Sequence, residues 1–593
     1  MALNKILQGM LNDFKKDYIF ESLGASKEFE YMVNYLLVTK FHPDAFNDKG
    51  DLEEIDVDEK SQFGLDAIAF IVNGNLVLSK NDISIYAKSK KLDVDILFIQ
   101  TKTEEKCDTG DLLKTIQATK NFLVNFDSIT EKNDNILNAK DIYEELFKFE
   151  NYKFCTSQSP KCHIYYVTAA NEWDKKIVNN ICATSTKEII NAVSDIKCAD
   201  IQVLGREYII DAYNERKNNI AVQISLKNCI TLEQIDGIKE AYIGYLTGDD
   251  YLRIICDKNG DLRRRIFYEN VRDYQGVGNS VNKEIRNTIT SPNTRGQFVL
   301  LNNGVTIITR SVTSLGANVY ELSDFQVVNG CQTSNEIFNC KEYASKIFVP
   351  IKIIYTTNAD IINHIVKATN RQSPVPEEAF VALDKYHKEL QLLFNEYSKE
   401  MPLEMFYERR SGEDDDIKEK IGSYQVVTLH GMIRAFESVY RQKPNIVQGT
   451  NPANILRSQN EHLFCKSHKP ESYYLASYLF VKFVFMQQKN LFSRQDYILR
   501  FYIIMVVRML MVKAVGVPDL SGNEINKENK KIIAILKTDV ADTYFIDAKK
   551  IIVEVLNRRE YLDKKRYDVL RSVDFCNKLK ERVKQELRNS GKS

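Results

Sequence analysis

The 593-residue sequence has no excess of charge of either sign, because 81 Lys and Arg residues balance 81 Asp and Glu residues. A surface that binds a polyanion must therefore be a local patch. The eleven cysteines are scattered singly and form no CxxC pair, so the sequence predicts neither a disulfide framework nor a paired-cysteine metal site. We expect reduced thiols and a cytoplasmic location.

The sequence also lacks a long uninterrupted apolar run. Its most apolar stretch, residues 498–515, contains Arg500, Arg508 and Lys513, whose charges are too costly in a bilayer but ordinary in a large buried helix. The first residues have no apolar core of the kind found in a signal peptide. We therefore predict no membrane partner. A chain of 593 residues should form several domains, because single hydrophobic cores stop growing near about 250 to 300 residues.

Two strand-like segments near the N-terminus carry the strongest chemical signal. Residues 65–72 and 94–101 are rich in aliphatic and aromatic residues, and the second is typical of a buried strand. Asp66 lies at the start of the first, and Gln100 and Lys102 lie at the end of the second. Side chains alternate along a strand, so Gln100 and Lys102 share one face, and a bend between paired strands would bring Asp66 to them. A carboxylate, an amide oxygen and an ammonium group suit a metal-dependent phosphodiesterase with Mg²⁺ or Mn²⁺ as cofactor.

Asp66 followed by Gln100-Thr101-Lys102 resembles the PD-(D/E)XK nuclease superfamily, in the Mrr-like variant whose motif is Q-x-K. The resemblance implies a Mg²⁺-dependent endonuclease in which Asp66 and Gln100 bind the metal and Lys102 acts on the water or the scissile phosphate. This branch adds a glutamate from a preceding helix. An upstream apolar pattern at helical spacing places Glu30 on its margin, so Glu30 is the expected further ligand. An ordinary α/β core with a solvated strand-end lysine is the alternative.

An acidic run, DLEEIDVDEK at residues 51–60, precedes the first of these strands. Such a run could supply a metal cluster, but it is more often a solvated connection, which is what we predict here. Further on, residues 111–125, 162–168 and 201–213 alternate between helical and strand-like spacing. This alternation indicates one α/β domain over residues 1–220.

Two polar turns that contain glycine mark the middle of the chain. The segment FVLLNNGVTII sets Asn303 between strand-like stretches, and the segment FQVVNGCQTSNEI sets Asn329, Gln332 and Thr333 where a strand would end and a helix begin. Amide and hydroxyl groups can read the donors and acceptors of a ligand but move protons poorly near neutral pH. We predict that these turns form a binding site for a cofactor or effector. Tight turns with capping side chains are the alternative.

Five motifs follow one another in the middle of the chain: FYENVRDYQG, NNGVTI, VVNGCQT, ATNRQSPV and FYERRSG. Together they resemble the AIPR family, the abortive infection phage resistance proteins of bacteria. The resemblance covers about residues 245–420 and implies a role in antiphage defence. The last motif contains Arg409 and Arg410, whose planar guanidinium groups suit phosphate, so we assign both to the predicted binding site.

The predicted fold class is α/β multidomain. It comprises a restriction-endonuclease-like α/β/α core over residues 1–220, an α/β AIPR domain over residues 245–420 and an all-helical C-terminal domain over residues 422–593. The leading function is a metal-dependent endonuclease that hydrolyses phosphodiester bonds, with DNA as the first expected substrate. A phage-derived trigger and a second copy of the chain are further expected partners. Two other functions stay open: a nuclease-like sensor that binds nucleic acid without cleavage, and a nucleotide-responsive regulator built on the middle domain.

Overall fold

The computed structural model divides the chain into two compact units. Unit 1 comprises Met1–Tyr35, Asp44–Arg206 and Val381–Ser593, and unit 2 comprises Leu36–Pro43 and Glu207–Phe380. The predicted division into three domains stays a prediction. The structure describes residues 3–18, 23–42, 45–46, 48–58, 64–88, 90–130, 132–156, 159–216, 220–258, 260–267, 279–370, 385–408, 422–459 and 463–590.

A five-stranded sheet forms the centre of the N-terminal part of unit 1. In it, β1 pairs antiparallel with β2 and β3, whereas β3, β4 and β5 run parallel. All of β1, and all of β3 except its last residue, are buried, as their nearly continuous apolar composition predicts. The strands, in the order β2-β1-β3-β4-β5, are β1 (Ala67–Val72), β2 (Asn75–Val77), β3 (Val94–Lys102), β4 (Lys161–Thr168) and β5 (Cys198–Leu204).

Helices accompany this sheet, and several of them begin at a residue whose side chain caps the first turn. Asp108, for example, accepts hydrogen bonds from two backbone N–H groups of the helix that follows it. Phe122 of that helix and Phe98 of β3 lie in one buried core. The helices of this part are α1 (Lys5–Tyr18), α2 (Ala25–Phe41), α3 (Lys49–Glu54), α4 (Lys80–Ala87), α5 (Thr109–Val124), α6 (Asp134–Phe147), α7 (Phe149–Tyr152) and α8 (Lys175–Ala192). Residues 36–41 of α2 belong to unit 2, as does α9 (Arg206–Arg216) apart from its first residue.

A six-stranded sheet with its own core forms the centre of unit 2. Its order is β6-β10-β9-β11-β8-β7, and only the β9–β11 pair is parallel among these described strands. The strands are β6 (Ala221–Ser225), β7 (Lys227–Thr231), β8 (Glu240–Thr247), β9 (Val305–Gly316), β10 (Val319–Asn329) and β11 (Phe348–Tyr355). The helices are α10 (Gly248–Ile255), α11 (Ser280–Thr290), α12 (Phe298–Leu301), α13 (Cys331–Asn339) and α14 (Ala359–Asn370).

The structure corrects one of the strands expected beside Asn303. The apolar stretch Phe298–Leu301 forms the short helix α12, and the strand begins only after the turn, at Val305. Phe298 is buried, whereas Leu300 and Leu301 are exposed. The stretch therefore buries Phe298 on one face of a short helix and does not form a strand of the sheet.

The C-terminal part of unit 1 is built from helices around a large apolar core. The prediction of an all-helical region from residue 422 is wrong at its start, because β13 (Val426–Thr428) pairs in parallel with β12 (Phe406–Glu408). None of the described helices is long and apolar enough to cross a membrane. The helices are α15 (Lys385–Ser398), α16 (Leu429–Val439), α17 (Pro444–Val447), α18 (Pro452–Gln459), α19 (Pro470–Gln488), α20 (Arg500–Val512), α21 (Asn523–Leu536), α22 (Ala541–Leu556), α23 (Arg566–Leu570) and α24 (Val573–Ser590).

Candidate metal centre

Asp66 lies just before β1, between two neighbouring extended segments. Its backbone N–H donates to the C=O of Ile99 at 2.8 Å, and its own C=O accepts from the N–H of Val57 at 2.9 Å. Because β1 and β3 are antiparallel, the start of β1 lies beside the end of β3, where Gln100 and Lys102 are located. Strand pairing therefore brings the D…Q-x-K elements of the sequence to one edge of the sheet.

The Asp66 carboxylate is 2% exposed and is held from two sides. Oδ1 accepts a hydrogen bond from Gln100 Nε2 at 2.8 Å, and Oδ2 accepts from the Thr101 N–H at 2.5 Å and its hydroxyl at 2.6 Å. Burial and, to a smaller extent, the nearby Glu30 raise the pKa of Asp66 to about 8, although the hydrogen bonds from Thr101 act in the opposite direction. A bound cation would favour the charged carboxylate that burial disfavours.

Glu30, Asp58 and Asp66 converge on one point. One ligand atom from each of the three carboxylates lies within 4.8 Å of the others. Helix α2 carries Glu30, which is 7% exposed. Burial raises the pKa of Glu30 and also that of Asp58, to about 6. The cluster combines two acids that the sequence singles out with one that it does not.

Asp58 reaches the cluster because the acidic run is not a solvated connection, contrary to our prediction. Its described part forms α3 and then an extended segment, residues 55–57, which pairs antiparallel with the start of β1 through Asp56 and Ala67. Asp51 and Asp56 are each 1% exposed. The alternation of Ile55, Asp56, Val57 and Asp58 is a strand-like signal of period two that could have indicated this.

Two lysines lie beside the cluster. Lys27 Nζ is 2.9 Å from Glu30 Oε2 and 2.7 Å from Asp56 Oδ1. Burial alone would lower the pKa of Lys27, but Asp56 and Glu30 raise it above its usual value. Lys102, whose side chain is 32% exposed, lies 3.7 Å from Asp111 Oδ2. Lys27 is three residues before Glu30, so helical spacing alone could have found it.

The residues present fit a divalent cation. Mg²⁺ and Mn²⁺ prefer oxygen ligands, and Glu30, Asp58 and Asp66 offer three carboxylates in a largely buried setting. Gln100 contacts the cluster through Asp66, to which its amide nitrogen donates a hydrogen bond. A role for Gln100 as a direct ligand stays a prediction.

The two polar turns of unit 2 lie side by side where β9 and β10 pair. Asn302 Nδ2 donates to the Thr333 hydroxyl at 3.1 Å, Asn302 Oδ1 accepts from the Gly304 N–H at 3.0 Å, and Asn329 Nδ2 donates to the Thr369 C=O at 2.9 Å. The predicted change from strand to helix occurs at Gly330. Several of these polar groups thus stabilise the turns themselves.

The binding role of Asn303, Asn329, Gln332 and Thr333 stays a prediction. Asn303 is exposed, Gln332 and Asn329 are half-buried, and Thr333 is buried on the first turn of α13. Arg409 and Arg410 lie outside the described residues. Among the described residues, the structure therefore brings the two predicted turns together.

Fold and site together define an α/β protein with a carboxylate cluster at the edge of its N-terminal sheet. Residues 267–554 match the family model described as AIPR protein. The match supports an AIPR family protein, as the five motifs indicate, and it extends beyond them into the C-terminal helices. Neither a curated protein nor a solved structure matches the chain.

Proposed function

We propose that this protein is a metal-dependent nuclease of antiphage defence that hydrolyses phosphodiester bonds, with DNA as the first substrate to test. The observation that carries the proposal is the convergence of Glu30, Asp58 and Asp66 within 4.8 Å. Raised carboxyl pKa values at a partly enclosed cluster are typical of functional sites. The AIPR match supports the role in abortive infection.

Each residue of the site has a distinct proposed task. Glu30, Asp58 and Asp66 hold the cation, which when bound supplies a Lewis acid for the phosphate and lowers the pKa of a water molecule. Gln100 and Thr101 fix the orientation of Asp66 through hydrogen bonds. Lys102 is the more exposed of the two neighbouring lysines, so its ammonium group is suited to offset negative charge on the phosphate.

The test is incubation of the purified full-length protein with labelled DNA and RNA in Mg²⁺, Mn²⁺ or EDTA. We expect cleavage that EDTA abolishes and that is lost in Asp66→Asn and Asp58→Asn. Asp82→Asn is the matched control, because Asp82 is also 2% exposed but is bound by Asn451 and Asn454 outside the cluster. Cleavage that persists in a folded Asp66→Asn protein would contradict the proposal.

A second candidate function is a sensor that binds nucleic acid without cutting it. The observation that favours it is Lys27, whose ammonium group already supplies a positive charge to Glu30 and Asp56. In this case the wild-type protein would bind DNA in a binding assay but would not cleave it in either Mg²⁺ or Mn²⁺. It would still protect cells against phage. Protection that depends on Asp66 together with EDTA-sensitive cleavage separates the nuclease from the sensor.

For the AIPR region we propose the recognition of a phage-derived trigger. Amides and a hydroxyl at Asn303, Asn329, Gln332 and Thr333 suit binding better than proton transfer. Gln332→Ala, or Arg409→Gln, should blunt protection but leave the cleavage that is driven by high Mn²⁺ and excess nucleic acid. Loss of that forced cleavage in a folded Gln332→Ala protein would argue against this division of roles. Nucleotide binding that survives Asp66→Asn would instead favour the nucleotide-responsive regulator.

A further inference from the structure

The short helix α3 is held by arginines from the C-terminal helices of the same unit. Arg434 Nη1 lies 2.8 Å from Asp51 Oδ1, and Arg500 Nη2 lies 3.1 Å from Asp48 Oδ1, the residue that caps α3. Arg571 Nη2 lies 3.3 Å from Glu54 Oε2. Charges as buried as these require partners. A six-residue helix is not stable alone, and these ion pairs help to hold α3 and the extended segment that follows it.

A fourth arginine extends this contact to the carboxylate cluster. Arg494 Nε lies 3.2 Å from Glu53 Oε1, at the end of α3, and its Nη2 lies 3.6 Å from Asp56 Oδ2. The same guanidinium group donates a hydrogen bond to the Tyr31 hydroxyl, which in turn donates to Asp56 Oδ2 at 2.9 Å. Asp56 is therefore fixed from two sides at one of its oxygens.

The other oxygen of Asp56 binds Lys27, and this ion pair leads into the cluster. Lys27 Nζ lies 2.7 Å from Asp56 and 2.9 Å from Glu30, so one ammonium group is shared between two carboxylates. An ammonium group on Glu30 competes with a divalent cation for the same carboxylate. The strength of this competition depends on how firmly the Asp56 carboxylate holds the Lys27 ammonium group.

We infer that Arg494 is a positioning residue for the carboxylate cluster: by fixing Asp56 it retains Lys27 there and leaves Glu30 available to a divalent cation. The inference rests on the proposed metal centre and adds its regulation by the C-terminal helices. Any partner or substrate that draws Arg494 away would weaken the hold of the cluster on its cation. Simple charge would act the other way, because removal of a nearby positive charge should strengthen cation binding.

The experiment titrates the full-length protein with Mn²⁺ alone and measures free Mn²⁺ by electron paramagnetic resonance. We expect Arg494→Leu to raise the Mn²⁺ Kd about 10-fold, as changes in residues that orient metal ligands do, and Arg494→Lys to recover part of the loss. Arg582→Leu is the matched control, because it also removes an ion-paired arginine of the C-terminal helices, one bound to Glu554 and Glu586. This control should leave the Kd unchanged.

A double-mutant cycle tests the route through Lys27. Lys27→Met should lower the Mn²⁺ Kd, because the competing ammonium group is gone. In that background Arg494→Leu should change the Kd by less than about 2-fold. A full 10-fold loss in the Lys27→Met background would overturn the proposed route.

If Arg494→Leu fails to fold, Tyr31→Phe provides a second test of the inference. It removes only the hydroxyl that joins Arg494 to Asp56 and should raise the Kd in the same direction by a smaller factor. A Kd that falls or stays constant in both variants would overturn the inference while leaving the nuclease proposal intact. Failure of wild-type protein to bind Mn²⁺ at all would instead overturn the proposed metal centre and the inference with it.

Discussion

The carboxylates at the two ends of the five-stranded sheet have different surroundings. At the carboxyl end of β3, Glu30, Asp58 and Asp66 converge. At the other end, His163 of β4 lies between two acids, with Nε2 2.8 Å from Asp95 Oδ1 and Nδ1 2.5 Å from Asp200 Oδ1. One end thus places an imidazole between two acids, whereas at the other end three acids converge and Lys27 pairs with one of them, Glu30.

The pKa values follow from this difference. Burial alone would lower the pKa of His163, but hydrogen bonds to Asp200 and Asp95 raise it to about 9, so one positive charge is shared between the two acids. Burial raises the pKa of Asp66 to about 8 instead. The comparison shows that hydrogen bonds to acids outweigh burial at His163, whereas burial outweighs the hydrogen bonds at Asp66, where the proposed cation would supply a positive charge.

The largest expected effect is the loss of cation binding in Asp58→Asn. Because Asp58 supplies one of three converging carboxylates, its loss should weaken Mn²⁺ binding by more than the about 10- to 100-fold that is typical of changes around a metal site. Isothermal titration calorimetry with Mn²⁺ measures this. Asp200→Asn, at the opposite end of the sheet, should leave the Kd unchanged; equal losses in both variants would remove the distinction between the two ends.

Mn²⁺ should also stabilise the folded protein. At a free concentration about 100 times its Kd, a ligand that binds only the folded state adds about 2.7 kcal/mol to the free energy of unfolding. Thermal melts with Mn²⁺ or EDTA should therefore differ for wild-type protein and coincide for Asp66→Asn. Stabilisation of equal size in both proteins would place the cation elsewhere.

Substitutions of Gln100 sharpen the comparison further. Gln100→Glu should preserve or strengthen Mn²⁺ binding, because it adds a negative charge beside a divalent cation. Gln100→Leu should weaken binding about 10-fold, since it removes a hydrogen bond that orients Asp66. Equal Mn²⁺ affinities in the two variants would show that this side chain does not contact the cation, because both variants lack the hydrogen bond that Gln100 Nε2 donates to Asp66.

The smallest expected effect concerns pH at the His163 end. The folded-state pKa of about 9 exceeds the ordinary value of about 6.5, so the imidazolium contributes stability that is fully present below about pH 6.5 and is lost as pH rises through 9. Wild-type protein should lose about 2 to 4 °C more in melting temperature between pH 6.5 and 9.5 than His163→Gln. Parallel curves for the two proteins would show that the charge is not linked to folding.

Local patterns in the sequence were sufficient to predict the central strands of the five-stranded sheet. Buried apolar runs gave β1 and β3, and their pairing placed Asp66 beside Gln100, because a period of two and an antiparallel partner leave little choice. Helical spacing placed Glu30 on α2. The role of each of these residues in binding a metal stays a prediction.

Long-range contacts account for what sequence patterns missed. Nothing in the run DLEEIDVDEK distinguishes acids that are solvated from acids that meet arginines more than 350 positions away, as Asp51 and Arg434 do. The same limit hid the contribution of Asp58, because its approach to Asp66 depends on how α3 is anchored. In unit 2, the four residues of α12 were too short for periodicity to separate helix from strand.

The arginine contacts of α3 also have a consequence for biosynthesis. A ribosome makes α2, α3 and β1 early, but Arg434, Arg494, Arg500 and Arg571 emerge only hundreds of residues later. Until then the acids of α3 have no cationic partners from these helices, and a six-residue helix does not persist by itself. We therefore expect the nascent chain to assemble its carboxylate cluster last, after its C-terminal helices have folded.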